Sequence, residues 1–257
     1  MSGTSIDGVD GVLVRFDEAG VLSGTLASAS RAMPPELRRR LTDLQQPGAD
    51  ELARAARAAN QLADLYVECV QALLSEAGVP CGAVIALGAH GQTVRHDPAH
   101  GFTIQLLNAA RLAEACGIAT VADLRSADVA AGGQGAPLVP TFHARVFGSA
   151  TARRAIVNIG GIANVTVLEP GAGAPTLGFD TGPGNTLMDA WCERHRGEPF
   201  DRDGAWAASG RKDPALLARM LAEPYFVLSA PKSTGRDLFN RDWLTSRLAG
   251  YQGPALG

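Results

Sequence analysis

The apolar positions between residues 51 and 77 recur at steps of three and four, which is the spacing of one face of an α-helix. The residues on this face are Leu52, Ala55, Ala59, Leu62, Tyr66, Val70 and Leu73. Gly78 follows them, and glycine commonly ends a helix because it adopts positive φ at little steric cost. The pattern therefore predicts a long amphipathic helix over 51–77 that serves as scaffold.

Short apolar runs alternate with helical patterns along the rest of the chain. Strands are predicted over 12–16, 21–28, 83–87, 103–107, 118–122, 155–159 and 165–168, and helices over 109–116, 138–147, 186–195, 214–222 and 237–248. The alternation of strand and helix after residue 83 is typical of βαβ units. The sequence predicts an α/β protein with a hinge in the glycine-rich segment 131–137, between a first lobe of residues 1–130 and a second of residues 131–257.

Residues 3–11 form a glycine and hydroxyl-rich turn that leads into the first predicted strand. Successive backbone N–H groups in such a turn form an anion-binding concavity, and Asp7 or Asp10 could hold a hydrated Mg²⁺. A hairpin turn without a ligand is equally consistent with these residues. Only Met1 and Ser2 precede the turn, so the pattern lacks the strand that would form the first arm of a hairpin.

The order of strand, glycine turn and strand returns at residues 155–168, with the turn at 160–164. This recurrence suggests two lobes built on one duplicated plan. Two glycine hairpins that face each other across a cleft could grip a polyphosphate from both sides.

Residues 178–185 place one acid, Asp180, between glycines and a proline at the start of a predicted helix. We expect a rigid turn that presents the Asp180 carboxylate, with Asn185 capping the helix and free N–H groups at the helix start offering a seat for phosphate. An acid that faces an anion site indicates activation of water or a hydroxyl beside a phosphoryl group. The alternative is a strand-to-helix turn in which Asp180 only caps the helix.

Polar residues follow two of the predicted strands, His90 and Gln92 after 83–87 and Asp123 and Arg125 after 118–122. Ligands of open α/β sheets bind beyond the carboxyl ends of strands, so these residues are candidate substrate contacts. An Asp–Arg pair that pins its loop is the alternative for the second pair. The spacing of the three histidines in 90–100 fits no standard zinc site.

Three further features leave their roles open. The loop 201–204 carries two carboxylates that either order a metal or cap the next helix. The basic, hydroxyl-bearing loop 231–236 is a candidate substrate or phosphate contact. His143 lies within a predicted helix, where a packed or surface position is expected.

Composition narrows the function classes. The chain has 46% hydrophobic and 19% charged residues and a formal net charge of −3, so it shows no electrostatic footprint for nucleic acid or an anionic membrane. Its four cysteines are dispersed, which favours a reducing cytoplasm over a disulfide scaffold or zinc site. There is no apolar run of the roughly 20 residues that span a bilayer and no signal-peptide pattern at the start. A cytoplasmic protein with small-molecule partners is expected.

Six blocks of sequence resemble the anhydro-N-acetylmuramic acid kinase family. They are Met-Ser-Gly-Thr-Ser-Ile-Asp-Gly-Val-Asp at 1–10, Gly-Ala-His-Gly-Gln-Thr at 88–93, Ala-Asp-Leu-Arg at 122–125, Asn-Ile-Gly-Gly-Ile-Ala-Asn at 158–164, Gly-Phe-Asp-Thr-Gly-Pro-Gly-Asn at 178–185 and Pro-Lys-Ser-Thr-Gly-Arg at 231–236. The likeness covers essentially the whole chain in unbroken order.

The resemblance implies the two-lobed, actin-like (ribonuclease H-like) ATPase fold of the hexokinase, Hsp70 and actin superfamily. It further implies that, with ATP and Mg²⁺, water opens the bridge of 1,6-anhydro-N-acetylmuramic acid and O6 is phosphorylated, which gives N-acetylmuramic acid 6-phosphate in cell-wall recycling. The implied catalytic base is Asp180. The implied site residues are Gly3, Thr4, Ser5, Ile6, Asp7, Gly8, Val9, Asp10, Gly160, Gly161 and Asn164 for the nucleotide, Asp7 for Mg²⁺ through water, and His90, Gln92, Asp123, Arg125, Thr181 and Gly182 for the sugar. A homodimer is compatible with the resemblance.

The likeness is incomplete at both ends of the sequence. Family members normally begin with a strand ahead of Met1, and they continue past residue 257 through an adenosine-binding segment and a further sugar-contacting acid. We therefore expect an incomplete second lobe, weak ATP binding and slow turnover. The alternatives are a sugar-binding remnant without activity and a related sugar kinase or phosphatase of the same superfamily.

Overall fold

The computed structural model describes residues 1–3, 5–171, 173–174 and 176–251. The chain divides into two compact units, of which the first spans Met1–Gly135 and the second begins at Ala136. Each unit contains both strands and helices, so the predicted α/β class is confirmed. Among the described residues, no helix has the combined length and apolar character needed to cross a membrane.

In its described residues the first unit contains two hairpins, a short parallel strand pair and four α-helices. Its elements, in chain order, are β1 (Gly8–Phe16), β2 (Leu22–Ala32), α1 (Pro35–Asp43), α2 (Glu51–Ala77), β3 (Leu87–Gly88), β4 (Gln92–Asp97), β5 (Phe102–Leu106), α3 (Ala109–Cys116), β6 (Thr120–Val121) and α4 (Ser126–Ala130). Strand β1 pairs with β2 and β4 pairs with β5, both antiparallel, whereas β3 pairs with β6 in parallel. The connection between β3 and β6 contains β4 and β5 as well as α3, and in the described residues β5 pairs with β4 rather than with β6, so the βαβ unit predicted over 103–122 is not formed.

Helix α2 is the scaffold of the first unit, and its predicted bounds are confirmed. Gly78 ends it in the left-handed conformation at φ 63°. Its apolar face packs into the core of the unit, where the Leu62 side chain is completely buried. Leu52 was predicted on the same face but is 90% exposed. It lies in the first turn, ahead of the stripe of buried side chains that begins at Ala58.

Two further predictions for the first unit are wrong. The strand expected over 83–87 is reduced to β3, because Ile85 within the apolar run is 95% exposed and therefore buries nothing. Gln92 was expected in a polar loop, 88–93, that follows the predicted strand 83–87. It instead begins β4, whose backbone pairs with β5 from Gln92 to Asp97.

The second unit is built on a three-stranded antiparallel sheet with helices around it. Its elements are α5 (Pro140–Phe147), β7 (Arg154–Ile159), β8 (Ile162–Leu168), β9 (Thr176–Pro183), α6 (Thr186–Arg196), α7 (Ala205–Ser209), α8 (Pro214–Leu221) and α9 (Arg241–Leu248). The strand order is β7-β8-β9. On the outer strand β7, Val157 and Ile159 are 63% and 67% exposed.

The turn predicted at 178–185 is wrong, because Gly178 to Pro183 continue strand β9. Phe179 pairs with Val165 of β8, so the ladder runs through the glycine-rich stretch. A Cβ atom on Gly178 would overlap the Pro140 ring of α5. This glycine thus permits the close approach of a helix rather than a turn. The last predicted helix also starts later, at Arg241, because the Asn240 side chain accepts the N–H of Trp243 and caps it.

The position of α2 leads to a matched pair of stability predictions. Leu62→Ala should lower the free energy of unfolding by about 2–5 kcal/mol, because it leaves a cavity in the core. Leu52→Ala, the same change on the exposed first turn of the same helix, should alter it by less than about 0.5 kcal/mol. Urea denaturation of both variants measures the difference, and equal losses would contradict this placement of α2.

Candidate active site

Asp180 lies in β9 of the second unit, where it is only 6% exposed. Its N–H donates to the Lys232 carbonyl at 3.0 Å, and its own carbonyl accepts the Tyr225 hydroxyl at 2.8 Å. The Thr234 N–H donates to the carboxylate oxygen Oδ2 at 3.0 Å. Both the main chain and the carboxylate of Asp180 are therefore held by the segment 225–234.

An aromatic cluster supports that segment. Tyr225 packs edge-on against Phe239 with ring centroids 5.7 Å apart, and Phe239 packs against Trp243 at 5.1 Å. Burial, together with the negative charge of Asp180, raises the pKa of Tyr225, so its hydroxyl keeps the proton that it donates. Lys232 Nζ donates to the Tyr225 carbonyl at 2.9 Å, so this lysine helps to anchor the segment.

The sheet register places three polar side chains in one row across the strands. Asn158 of β7 is paired with Asn164 of β8, and Asn164 is paired with Asp180 of β9. Directly paired residues of antiparallel strands project to the same face. Helix α5 covers the next row on this face, where His143 Nδ1 lies 2.8 Å from the hydroxyl oxygen of Thr166. The expectation of a packed role for His143 is therefore met by this contact.

The two residues that precede α6 donate their N–H groups to the β7–β8 turn, while the phosphate site predicted at the first N–H groups of α6 itself stays a prediction. The Gly184 N–H donates to the Gly161 carbonyl at 2.9 Å, and the Asn185 N–H donates to the Gly160 carbonyl at 2.9 Å. Asn185 has helical φ and ψ and makes no side-chain cap, so its predicted capping role is wrong. The β7–β8 turn reaches the start of α6 and satisfies these donors with its own carbonyls.

The turn itself has features that fit a phosphate. A Cβ atom on Gly160 would meet nothing closer than the Ile162 carbonyl oxygen at 3.7 Å, so the backbone is open to close approach. The Thr186 hydroxyl is buried, and no described residue forms a hydrogen bond with it. A hydroxyl can donate to a phosphate oxygen. Gly160 and Gly161 therefore remain candidates for nucleotide binding.

The glycine turn of the first unit is held by its apolar residues. Ile6 has φ 53°, a strained conformation for a β-branched residue, and its N–H donates to the Gly3 carbonyl at 3.1 Å. The side chains of Ile6 and Val9 are each 1% exposed and belong to the core. The side chains of these two predicted nucleotide contacts thus anchor the turn to the core of the first unit. Thr4, another predicted contact, lies outside the described residues.

The acids of this turn lie at the surface. Asp7 and Asp10 are exposed, and Asp10 Oδ1 accepts the Ser30 hydroxyl at 2.5 Å. Nowhere in the described part of the chain do three or more metal-ligating side chains cluster. The role of Asp7 in holding Mg²⁺ through water stays a prediction. Gly8, also a predicted contact, is required by packing, since its Cβ would lie 2.5 Å from the Arg31 carbonyl oxygen.

Two of the predicted sugar contacts in the first unit are brought together. Arg125 Nε donates to His90 Nε2 at 2.8 Å, and Arg125 Nη1 donates to the Gly135 carbonyl at 2.5 Å. The Asp123 carboxylate accepts the Ser126 hydroxyl at 2.6 Å. Gln92 is 1% exposed, with its amide oxygen bonded by the Ser2 hydroxyl. Arg125 thus bridges His90 and the Gly135 carbonyl.

The environment of His90 disfavours its charged form. Burial, with the neighbouring Arg125 charge, lowers the pKa of His90 to about 4. The neutral ring can then accept from Arg125 at Nε2 while Nδ1 donates to the Gly91 carbonyl at 2.8 Å. His90 is therefore a fixed neutral acceptor at neutral pH.

The remaining predicted site residues have structural partners. The Thr181 hydroxyl donates to the Ala163 carbonyl at 3.1 Å, and Gly182 lies against Phe226, which a Cβ would approach to 2.6 Å. Asp201 accepts the N–H groups of Trp206 and Ala207, which favours the capping alternative for the loop 201–204. No local pattern in the sequence singles out Tyr225, because its hydroxyl donates to the backbone carbonyl of Asp180 and not to the side chain.

A family model and curated relatives of the same description both match nearly the whole chain. A family model described as "Anhydro-N-acetylmuramic acid kinase" matches residues 1–256. The protein of that name from Bordetella parapertussis is 60% identical over 256 residues, covering 99% of this chain and 66% of that protein. The one from Cupriavidus metallidurans is 55% identical, covering 98% and 67%. The chain thus spans about two thirds of the length of these relatives.

The pKa of His90 leads to a prediction for stability. The folded-state value lies below the ordinary 6.5, so unfolding takes up a proton between pH 6.5 and about 4. Stability present above that range should therefore be lost as the pH falls through it. In His90→Gln, which keeps an acceptor for Arg125, denaturant titrations across this range should show a slope smaller by up to one proton. If the free energy of unfolding changed with pH by the same slope in both proteins, the lowered pKa of His90 would be refuted.

Proposed function

Since the chain belongs to the anhydro-N-acetylmuramic acid kinase family, we propose that it acts in the ATP-dependent opening of 1,6-anhydro-N-acetylmuramic acid. The product would be N-acetylmuramic acid 6-phosphate, an intermediate of cell-wall recycling. The observation that carries the proposal is the placement of Asp180, a buried acid whose main chain and carboxylate are both fixed by hydrogen bonds.

Asp180 would act as the general base of the reaction. It takes one proton from a water molecule as the water oxygen bonds to the anomeric carbon of the sugar. The bond from that carbon to O6 breaks, and O6 takes the γ-phosphoryl group of ATP, whose remainder leaves as ADP. The first half resembles inverting glycoside hydrolysis, in which one carboxylate activates water at the anomeric carbon.

The geometry around Asp180 suits a base. A group fixed before the reaction costs little reorganisation when charge develops. The Thr234 N–H fixes the carboxylate, while the bonds to Lys232 and Tyr225 fix the peptide groups on either side of its Cα. Exclusion of water by the protein around Asp180 strengthens electrostatic interactions with reacting groups.

For the nucleotide, a phosphate contact is proposed at the glycine turn of each unit, and the proposed fold is the two-lobed actin-like one. In the second unit the open Gly160 backbone and the buried Thr186 hydroxyl support phosphate binding. In the first unit the support is the fixed turn around Gly3, with Asp7 available at the surface for a hydrated Mg²⁺. When bound, Mg²⁺ would neutralise the charge of the transferring phosphate.

The sugar contacts are proposed for the His90 and Arg125 pair and for Asp123. Their support is the hydrogen bond that joins His90 to Arg125, which fixes a cation and a neutral acceptor side by side. A panel of the anhydro sugar and free hexoses tests this assignment. Separate titrations of sugar and nucleotide distinguish an active kinase from a remnant that binds sugar alone.

Asp180→Asn should lower kcat by about 10²–10⁴-fold, because the amide cannot accept the proton of water. The KM values for sugar and ATP should change little, since the amide keeps the size of the side chain and an acceptor for the Thr234 N–H. Steady-state kinetics with release of ADP as the signal measures both.

Asp242→Asn provides a matched control on the exposed first turn of α9 in the same unit. It should keep the parent kcat. An Asp180→Asn protein that also keeps the parent kcat, with its fold verified by circular dichroism, would show that Asp180 is not the base.

A further inference from the structure

We propose that Asn164 is a positioning residue that holds the attacking water against Asp180. This inference rests on the proposed function, because it assigns the second partner of the water that Asp180 deprotonates. It also gives Asn164 a role different from the nucleotide contact expected for it together with Gly160 and Gly161.

The sheet register brings Asn164 to the base. Asn164 pairs directly with Asp180, so the two side chains project from the same face with Cβ atoms about 4.5–5.5 Å apart. A register shift follows at once, since Ala163 pairs with Gly182 and leaves Thr181 as the extra residue. Such bulges re-aim side chains beside active sites. The Thr181 hydroxyl pins this one by donating to the Ala163 carbonyl.

The amide oxygen of Asn164 is a buried acceptor that no described residue satisfies. A buried polar atom left without a partner costs about 1–3 kcal/mol. The ionised Asp180 carboxylate cannot relieve it, because it too only accepts hydrogen bonds. A ligand with two donor hydrogens can serve both groups, and water is the smallest one.

This arrangement would orient the water for attack. One hydrogen of the water points to Asp180 and the other to Asn164 Oδ1, so its lone pairs face the remaining directions. As the oxygen bonds to the anomeric carbon, the proton on the Asp180 side passes to the carboxylate. The other hydrogen stays on the new hydroxyl, bonded to Asn164. The electrons of the broken bond remain on O6, which takes the phosphoryl group.

Asn164→Ala should lower kcat by about 10²-fold through the loss of orientation, while KM for sugar and ATP stays near the parent value. Asn158→Ala is the matched control. Asn158 belongs to the same row but lies on β7, one strand further from Asp180. It should keep the parent kcat. Equal kcat in Asn164→Ala and the parent, while Asp180→Asn loses activity, would overturn the role of Asn164 and leave the proposed function standing.

Asn164→Asp tests the inference through the pH profile of kcat, which substitution of a purely structural residue would not shift. It keeps an acceptor oxygen but places a second carboxylate beside Asp180. Neighbouring carboxylates raise the apparent pKa values of the pair, so the acidic limb of the kcat profile should shift to higher pH, with activity partly restored above it. An unshifted profile would contradict the inference.

A crystal structure of the parent chain that resolves ordered waters gives an answer independent of turnover. A water within hydrogen-bonding distance of both the Asp180 carboxylate and Asn164 Oδ1 supports the inference. An Asn164 oxygen bonded to a protein donor instead would overturn it. If the parent chain fails to convert the anhydro sugar, the proposed function fails, whereas the crystal structure fails the inference alone when no water lies between Asp180 and Asn164.

Discussion

The hydrogen bonds from residues 225–234 to Asp180 are the constraint on which the candidate active site of the second unit depends. The Tyr225 hydroxyl and the Thr234 N–H come from 45 and 54 positions further along the chain. Strand β9 alone therefore does not place the carboxylate. Its placement requires the sheet, the aromatic cluster and the loop after it to be assembled together, which ties the proposed chemistry to the folding of the whole unit.

The elements that could be predicted from the sequence are those with a regular local pattern. Helix α2 was found with its bounds because its apolar face repeats over many turns and Gly78 ends it. The stretch around Asp180 was misread because glycine signals two different things, positive φ and close approach of another element. Gly178 is needed for close approach, because Pro140 packs against it. Pro140 is distant in sequence, so the local pattern could not distinguish close approach from a turn.

The same reasoning explains how much of the candidate site the sequence disclosed. Asp180, His90 and Arg125 could be singled out because each is a chemically distinctive residue in a glycine-rich or strand-end context. Tyr225 could not, since its hydroxyl serves a main-chain carbonyl and leaves no local signature. The pairing of Asn164 with Asp180 depends on a register shift, which arises from two strands together.

The exposed outer strand β7 bears on how the second unit behaves in concentrated solution. Among the described residues no further strand pairs with it, so its outer edge presents backbone donors and acceptors beside the exposed Val157 and Ile159. Such an edge is a template for cross-strand association between molecules, and Arg154 is the one charge along it. The tendency of the second unit to self-associate therefore depends on whether the outer edge of β7 is covered.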